Sequence, residues 1–145
     1  MLIDPKGGRV ANAVMLNGPN GNKAPKMPKE VQVPCNMPVR AIHMLSGISG
    51  WGYPALQKGT VSLIVRLKYE DGSIENHELR NGEHFADYIR RIDVPKSEFA
   101  FALRGQQVRY LTVVPSKSLK VVGISLVKGP DGSSPVVMAM TAEAR

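Results

Sequence analysis

The chain has 145 residues, 43% of them hydrophobic and 21% charged, which predicts one folded domain with a sizeable core and excludes a disordered chain. Its formal net charge of +7 comes from basic residues scattered along the sequence, with Arg90-Arg91 the one arginine doublet. We interpret the charge as a solvated basic surface, so nucleic acid is an unfavoured partner. No apolar run approaches the roughly 20 residues of a membrane-spanning helix, so no membrane partner is expected.

The first third of the chain predicts short strands separated by turns. Ile3 and residues 10–16 are predicted as the first strands. Residues 17–28 form a loop rich in Gly, Pro and Asn, either a mobile loop or a ligand rim, and the first interpretation is favoured. Residues 30–35 and 39–45 are predicted as two strands that the Met37-Pro38 pair separates.

The clearest strand covers residues 61–70. Its apolar residues alternate with polar ones, as expected for a strand with one buried face. The buried set is Val61, Leu63, Val65, Leu67 and Tyr69, with Ile64 the exception on the polar face. Asp71-Gly72 then predicts a hairpin turn into a strand at residues 73–79, and Asn81-Gly82 predicts a second turn.

The second half of the chain continues the same pattern of strands and turns. Residues 84–91 are ambiguous, because they are too short for a stable helix but compatible with a single helical turn. Strands are predicted at residues 99–104, 108–114, 121–127 and 136–141. The strand at residues 108–114 has apolar groups on both faces, which predicts a central position in a sheet. Strands recurring roughly every 8–12 residues predict an all-β fold, an antiparallel β-sandwich of about eight to ten strands. Its predicted core is Val61, Leu63, Val65, Leu67, Phe99, Phe101, Val108, Tyr110, Val121, Ile124 and Leu126.

Catalytic and metal chemistry find no support in the sequence. The single cysteine, Cys35, excludes an internal disulfide, and its strand-like surroundings indicate a buried apolar thiol. His43, His77 and His84 lack the spacing of metal ligands, so no metal and no cofactor are predicted. There is no G-x-S-x-G motif and no recognisable carboxylate pair for glycoside hydrolysis. We therefore predict that the protein is not an enzyme and has no catalytic residues.

Two regions are candidates for binding a ligand. Trp51 and Tyr53 lie in a glycine-rich loop, where they form either a stacking platform for a sugar or, for Trp51, a cap on the core. The buried cap is the favoured interpretation of Trp51. Flanking Gly50 and Gly52 allow an unusual backbone path in either case.

The second candidate region is a polar corner. Asp87, Tyr88, Arg90 and Arg91 offer acceptors and planar donors for a ligand's hydroxyl or carboxylate groups. The alternative, which is favoured, is a structural Asp–Arg pair that fixes the corner. Arg104 and Arg109 flank a Gly-Gln-Gln turn and either reach the same end of the fold or pair on a sheet face with acids such as Glu98. All of these residues are candidate ligand contacts.

Several of these segments together resemble a known family. Ala41-Ile42-His43-Met44-Leu45, Gly50-Trp51-Gly52, Tyr69-Glu70-Asp71-Gly72-Ser73 and Asp87-Tyr88 are similar to the motifs of galactose-binding-like jelly rolls related to the NPCBM carbohydrate-binding modules. The resemblance implies a jelly-roll topology and a possible carbohydrate ligand. Most sugar-binding faces carry a cluster of several exposed aromatic residues, whereas this chain offers only Trp51 and Tyr53, both in one loop. No loop shows the concentrated oxygen ligands of a calcium site.

A second likeness extends over nearly the whole chain. Residues 104–110 and the Lys128-Gly129-Pro130-Asp131 run are similar to C-terminal domains of large exported bacterial proteins that carry c-type haem or sugar-dehydrogenase-like domains. No Cys-x-x-Cys-His motif occurs, so this segment would not attach haem. The resemblance implies that residues 1–145 form one domain of a longer chain, which is extracellular or periplasmic although no signal peptide is visible.

Together these features predict a non-catalytic accessory domain that resembles carbohydrate-binding modules. The alternative is a structural or protein-interaction domain that docks on neighbouring domains of the parent chain and binds no sugar.

Overall fold

A computed structural model describes residues 13–145, so the predicted strand at Ile3 and the start of the next lie outside the described residues. This part of the chain is all-β and contains eight strands, with one 3-10 turn at Ala24–Lys26. The strands are β1 (Val14–Met15), β2 (Glu30–Ser49), β3 (Val61–Tyr69), β4 (Ile74–Arg80), β5 (Glu98–Leu103), β6 (Gln106–Val113), β7 (Lys120–Lys128) and β8 (Ser134–Ala144). No helix within these residues is long and apolar enough to cross a membrane.

The strands form two antiparallel sheets that share β2. The first sheet has the order β1-β8-β2-β6-β5, and the second has the order β2-β7-β3-β4. The predicted antiparallel β-sandwich is therefore confirmed. The jelly-roll topology implied by the resemblance stays a prediction.

The predicted break at Met37-Pro38 is wrong, because β2 continues through it for 20 residues. Residues 30–38 pair with β7, whereas residues 39–49 pair with β8 and, in part, with β6. Within the described chain the first half of β2 is thus a sheet edge, where a proline is tolerated because one side of the strand has no partner. A shift of register between Pro34 and Met37 accommodates the bend.

The core lies between the two sheets. The alternation predicted for β3 is confirmed for Leu63, Val65, Leu67 and Tyr69, each of which is fully buried. These side chains pack in one cluster with residues of β2, β6 and β7, including Ile42, Met44, Leu111, Val113, Val121, Ile124 and Leu126. At about 25 cal/mol per Å² of apolar surface, this shared burial is what holds the sheets face to face.

Four of the predicted core residues are not fully buried. Phe101 is 41% exposed, which contradicts its prediction, and Val61, Phe99 and Tyr110 are half-buried. For Phe99 and Phe101 the reason is that β5 is an edge strand, paired in the described residues with β6 alone, and its register shifts between these two residues. The neighbouring strand β6 does lie inside its sheet, between β5 and β2, as predicted.

Gly129, the residue that follows β7, lies directly against the backbone of β3. Its N–H donates to the Ser62 carbonyl at 2.9 Å, and a Cβ at this position would lie 2.1 Å from the Val61 carbonyl oxygen. Gly123, six residues earlier in the same strand, has open space around the corresponding position. Of these two positions, only Gly129 must be a glycine for the chain to pack this closely.

We expect Gly129→Ala to lower the free energy of unfolding by more than about 3 kcal/mol, because the added methyl group collides with backbone that cannot rotate away. Gly123→Ala should change it by less than about 1 kcal/mol. Urea denaturation followed by circular dichroism measures both values. Equal effects would contradict the close packing of Gly129 on β3.

A buried ion pair closes the same end of the sandwich. The Lys128 ammonium lies 3.0 Å from an Asp131 carboxylate oxygen, and the two side chains are only 8% and 2% exposed. Ser62 and Ser133 also donate hydroxyl hydrogen bonds to this carboxylate. Burial alone would raise the pKa of Asp131, but the hydrogen bonds from Ser133, Ser62 and Lys128 outweigh it and hold the pKa below its usual range.

Asp131→Asn should lower the free energy of unfolding by about 3–5 kcal/mol at pH 7, because it leaves the Lys128 ammonium buried without a counter-charge. The folded-state pKa of Asp131 is depressed, so its stabilisation is complete above the unfolded pKa of about 3.9 and is lost as the pH falls through the folded value. The difference between wild type and variant should therefore shrink below about pH 4. Denaturation midpoints measured from pH 7 to pH 2 test this, with Glu98→Gln on the exposed start of β5 as the control. If the stability difference between wild type and Asp131→Asn stayed constant from pH 7 to pH 2, the depressed pKa of Asp131 would be contradicted.

Candidate functional site

Trp51, the only tryptophan in the chain, projects from the loop that follows β2. It is 56% exposed, so the prediction that it caps the core is wrong. Its backbone φ is +75°, in the left-handed region that bulky residues avoid at a cost of about 1–3 kcal/mol. Gly50 before it has the same positive φ. The turn therefore directs a large aromatic side chain outward instead of into the core.

Hydrogen bonds to the backbone of this loop hold it on both sides of Trp51. The Gly50 carbonyl accepts from the Asn20 side-chain amide at 3.1 Å. The Tyr53 N–H donates to the Asn81 side chain at 2.8 Å, and the Tyr53 carbonyl accepts from the Asp87 N–H at 2.9 Å. Three separate segments thus fix the backbone on which Trp51 stands.

Asp87 is a structural residue of this site. It is 7% exposed, and its two carboxylate oxygens accept from the N–H groups of Gly52 at 3.1 Å and Ile89 at 2.9 Å. A Cβ at Gly52 would lie 2.5 Å from Ile48 and 2.8 Å from the Asp87 nitrogen, so only glycine fits there. The favoured alternative of an Asp–Arg pair is corrected: the carboxylate binds backbone amides instead.

Arg109 and Gln107 support the corner from below. Arg109 is 1% exposed and donates to the Ser97 carbonyl at 2.6 Å and to the Gln107 side-chain oxygen at 3.2 Å. The Gln107 amide in turn donates to the carbonyls of Asp87 at 2.6 Å and Arg90 at 2.8 Å. Arg109 is therefore buried away from any ligand, which corrects its prediction as a contact. Its ion-pair partner is Asp93, at 3.4 Å, and not Glu98.

Three more predicted contacts lie apart from the exposed tryptophan. Arg91 is bound to the Asp93 carboxylate through two nitrogens, at 3.1 and 3.3 Å, and its guanidinium stacks 4.4 Å from the centre of the Phe99 ring. Arg104 is exposed in the turn between β5 and β6. Tyr53 is half-buried and lies over Gly82.

Two shallow grooves flank Trp51, and both are also lined by Ile89. The larger has a volume of about 330 Å³, and Pro54, Ala55, Asp87 and Arg90 complete its lining. The smaller has a volume of about 180 Å³ and is bounded by Asn20, Gly21, Ser49, Gly50 and Tyr88. The structure thus brings together four of the eight predicted contacts: Trp51, Asp87, Tyr88 and Arg90. We call the 330 Å³ depression the Trp51 groove.

The Trp51 groove combines apolar walls with one cationic group, Arg90, and one buried carboxylate, Asp87. Trp51, Pro54, Ala55 and Ile89 offer carbon surfaces, and Arg90 offers a planar guanidinium with five N–H donors. Residues 13–145 contain no cluster of three or more His, Cys, Asp or Glu side chains that would hold a metal ion. The chemistry available is therefore stacking of a carbon face together with hydrogen bonding to an acceptor.

Sequence reasoning missed Ile89, Asn20 and Gln107. Ile89 is 55% exposed, and nothing in the sequence marked it, because single exposed apolar residues are common on protein surfaces. Asn20 and Gly21 bring the loop at residues 17–28 to the rim of the smaller groove, which favours the ligand-rim interpretation of that loop. Nothing in the sequence marked Gln107, because its role depends on contacts with residues 17 and 20 positions away.

Two other depressions differ in chemistry. One of about 520 Å³ on the outer face of the second sheet is lined by residues such as Arg66, Lys68 and Ser125, and it has no aromatic side chain. Another, of about 250 Å³ on the first sheet, is lined largely by apolar residues including Leu103 and Met138. Tyr88 also contributes to the lining of the 250 Å³ depression, but of these four depressions only the two beside Trp51 present an aromatic side chain that is more than half exposed, so they are the best candidate for a sugar site.

Comparison of the chain with protein-family models, with curated proteins and with solved structures finds no significant match. Function must therefore be inferred from the chemistry of the Trp51 groove.

We expect Trp51→Ala to change the free energy of unfolding by less than about 1 kcal/mol, because the exposed indole adds little to the core. The matched control Phe85→Ala removes a fully buried ring and should cost about 3–5 kcal/mol. Trp51→Gly should be more stable than Trp51→Ala by about 1 kcal/mol or more, because glycine adopts the left-handed backbone without a steric penalty. Urea denaturation followed by circular dichroism gives all three values.

A loss of several kcal/mol in Trp51→Ala would show instead that the indole supports the core. Fluorescence of the wild type gives an independent check, because Trp51 is the only tryptophan. Acrylamide should quench its emission almost as well in the folded protein as in urea.

Proposed function

We propose that this domain is a non-catalytic carbohydrate-binding module in which a sugar ring stacks on Trp51. The observation that carries the proposal is that an exposed tryptophan is held in a left-handed backbone conformation by hydrogen bonds on both sides. Such a conformation costs stability and persists where surrounding contacts impose it, often at ligand sites. The carbon face of a sugar packs on an aromatic ring while its polar groups stay hydrogen-bonded.

The composition of the groove supports the same proposal. Its volume of about 330 Å³ lies at the lower end of the range of roughly 300–1,000 Å³ for small-molecule sites, which suits one or two sugar rings. Because Asp87 and Asn81 hold the loop before any ligand arrives, little order has to be gained on binding. In the proposed setting the domain is an accessory part of an exported bacterial protein, extracellular or periplasmic.

A matched pair of variants tests the proposal on a glycan array and by titration calorimetry. Trp51→Ala should weaken binding to any recognised glycan at least fivefold, equivalent to about 1 kcal/mol, because it removes the stacking surface. Ile74→Ala is the control: it also shortens an exposed apolar side chain, 60% exposed, on the edge strand β4 away from the groove. It should bind as the wild type does. Equal binding by wild type and Trp51→Ala would overturn Trp51 as the platform.

The alternative of a structural domain that docks on a neighbouring domain has its own support. Leu103 and Phe101 are 48% and 41% exposed on the edge strand β5, and Leu103 borders the apolar depression on the first sheet. Exposed apolar groups that lie together are typical of surfaces covered by another domain. Absence of binding to every glycan would favour this alternative.

A further inference from the structure

We propose that the Trp51 groove selects saccharides that carry a carboxylate, and that Arg90 is the residue that binds this carboxylate. The inference rests on the proposed function, because it names the class of sugar for the same site. It distinguishes acidic sugars, such as uronic acids, from neutral ones.

The first step is the balance of donors and acceptors in the groove. Among the residues that line it, the one acid is Asp87, and both of its oxygens already accept backbone N–H groups. Arg90 carries five N–H donors and no acceptor. Neutral and acidic sugars both carry hydroxyl groups, which need acceptors as well as donors, but the carboxylate of an acidic sugar only accepts. That carboxylate is therefore the group that the donors of Arg90 match best.

The second step concerns which arginine is available. Arg91 is bound to Asp93 and stacked on Phe99, and Arg109 is buried in its own hydrogen bonds. The Arg90 side chain, in contrast, is exposed and makes no hydrogen bond or ion pair with any residue between 13 and 145. Of Arg90, Arg91 and Arg109, Arg90 alone has a guanidinium without a partner among the described residues, and it is the one that lines the groove.

The third step is the fixed position of the Arg90 backbone. Its carbonyl accepts from the Gln107 amide at 2.8 Å, and Gln107 is itself 4% exposed and held by Arg109. The side chain thus starts from a rigid point beside Ile89 and Trp51. A pyranose ring lying on Trp51 would place a carboxylate at its edge within reach of the guanidinium, which binds carboxylates through two parallel hydrogen bonds.

Titration calorimetry at about 0.15 M salt tests the inference, since surface attraction between distant charges is largely screened there. The probes are oligosaccharides of galacturonic and glucuronic acid and their methyl esters, which keep the ring and remove the charge. Wild type should bind the acids about tenfold more tightly than the esters. Arg90→Ala should lose this preference and Arg90→Lys should keep only part of it, because lysine lacks the planar pair of donors.

The matched control is Arg40→Ala. It removes the same charge from an exposed side chain in the middle of β2, where Arg40 pairs with Glu143. Nine residues of the strand separate Arg40 from the loop that carries Trp51. Arg40→Ala should keep the full preference for the acids. An equal loss in Arg40→Ala would overturn the inference by showing that the overall charge of the protein attracts the ligand.

The remaining outcomes separate this inference from the proposed function. Equal affinity for acids and esters, with binding still lost in Trp51→Ala, would overturn acid selection and leave the carbohydrate site intact. Binding to neutral glycans but not to acidic ones would also overturn acid selection and leave the carbohydrate site intact. Absence of binding to every glycan would overturn the proposed function, and acid selection with it.

Discussion

Both sheets depend on the continuity of one strand. The first half of β2 is hydrogen-bonded in the second sheet, and its second half is hydrogen-bonded in the first. Because the same backbone belongs to both, neither sheet can slide over the other without breaking one of these ladders, and the change of partner occurs where the register shifts. The strand ends at Ser49, and the loop that carries Trp51 begins immediately after it. The position of the candidate site is therefore set by the element that joins the sandwich.

The polar residues of the corner divide into those that build it and those that face solvent. Asp87, Gln107 and Arg109 are all more than nine-tenths buried, and their hydrogen bonds go to backbone groups, to one another and, for Arg109, to the side chains of Ser97 and Asp93. Burial of charged and amide groups is tolerable only when they are satisfied in this way. In the proposed function their effect on a ligand is indirect, through the rigid placement of Trp51 and Arg90. The site thus consists of a few exposed groups on a buried polar support.

The fold class followed from local patterns, whereas the site did not. Alternation in β3 identified its buried face, because the period of a strand is a local property. The apparent break at Pro38 and the exposure of Phe101 depended on which strands lie at sheet edges, which is a property of the complete topology. In the same way, residue type favoured a buried tryptophan and an exposed arginine, but Trp51 is exposed and Arg109 is buried. The hydrogen bonds that anchor the loop decide the first, and long-range hydrogen bonds decide the second. Residue type therefore pointed to the region of the candidate site and misassigned structural roles within it.

The left-handed backbone at Trp51 has a consequence for how this sequence varies. Glycine suits that conformation better than tryptophan does, so selection for folding alone favours replacement of the aromatic residue. Retention of tryptophan among related chains would then measure selection for binding, independently of stability. Divergent copies released from that selection should drift towards glycine or asparagine at this position while Asp87 and Gly52, which the fold itself needs, persist.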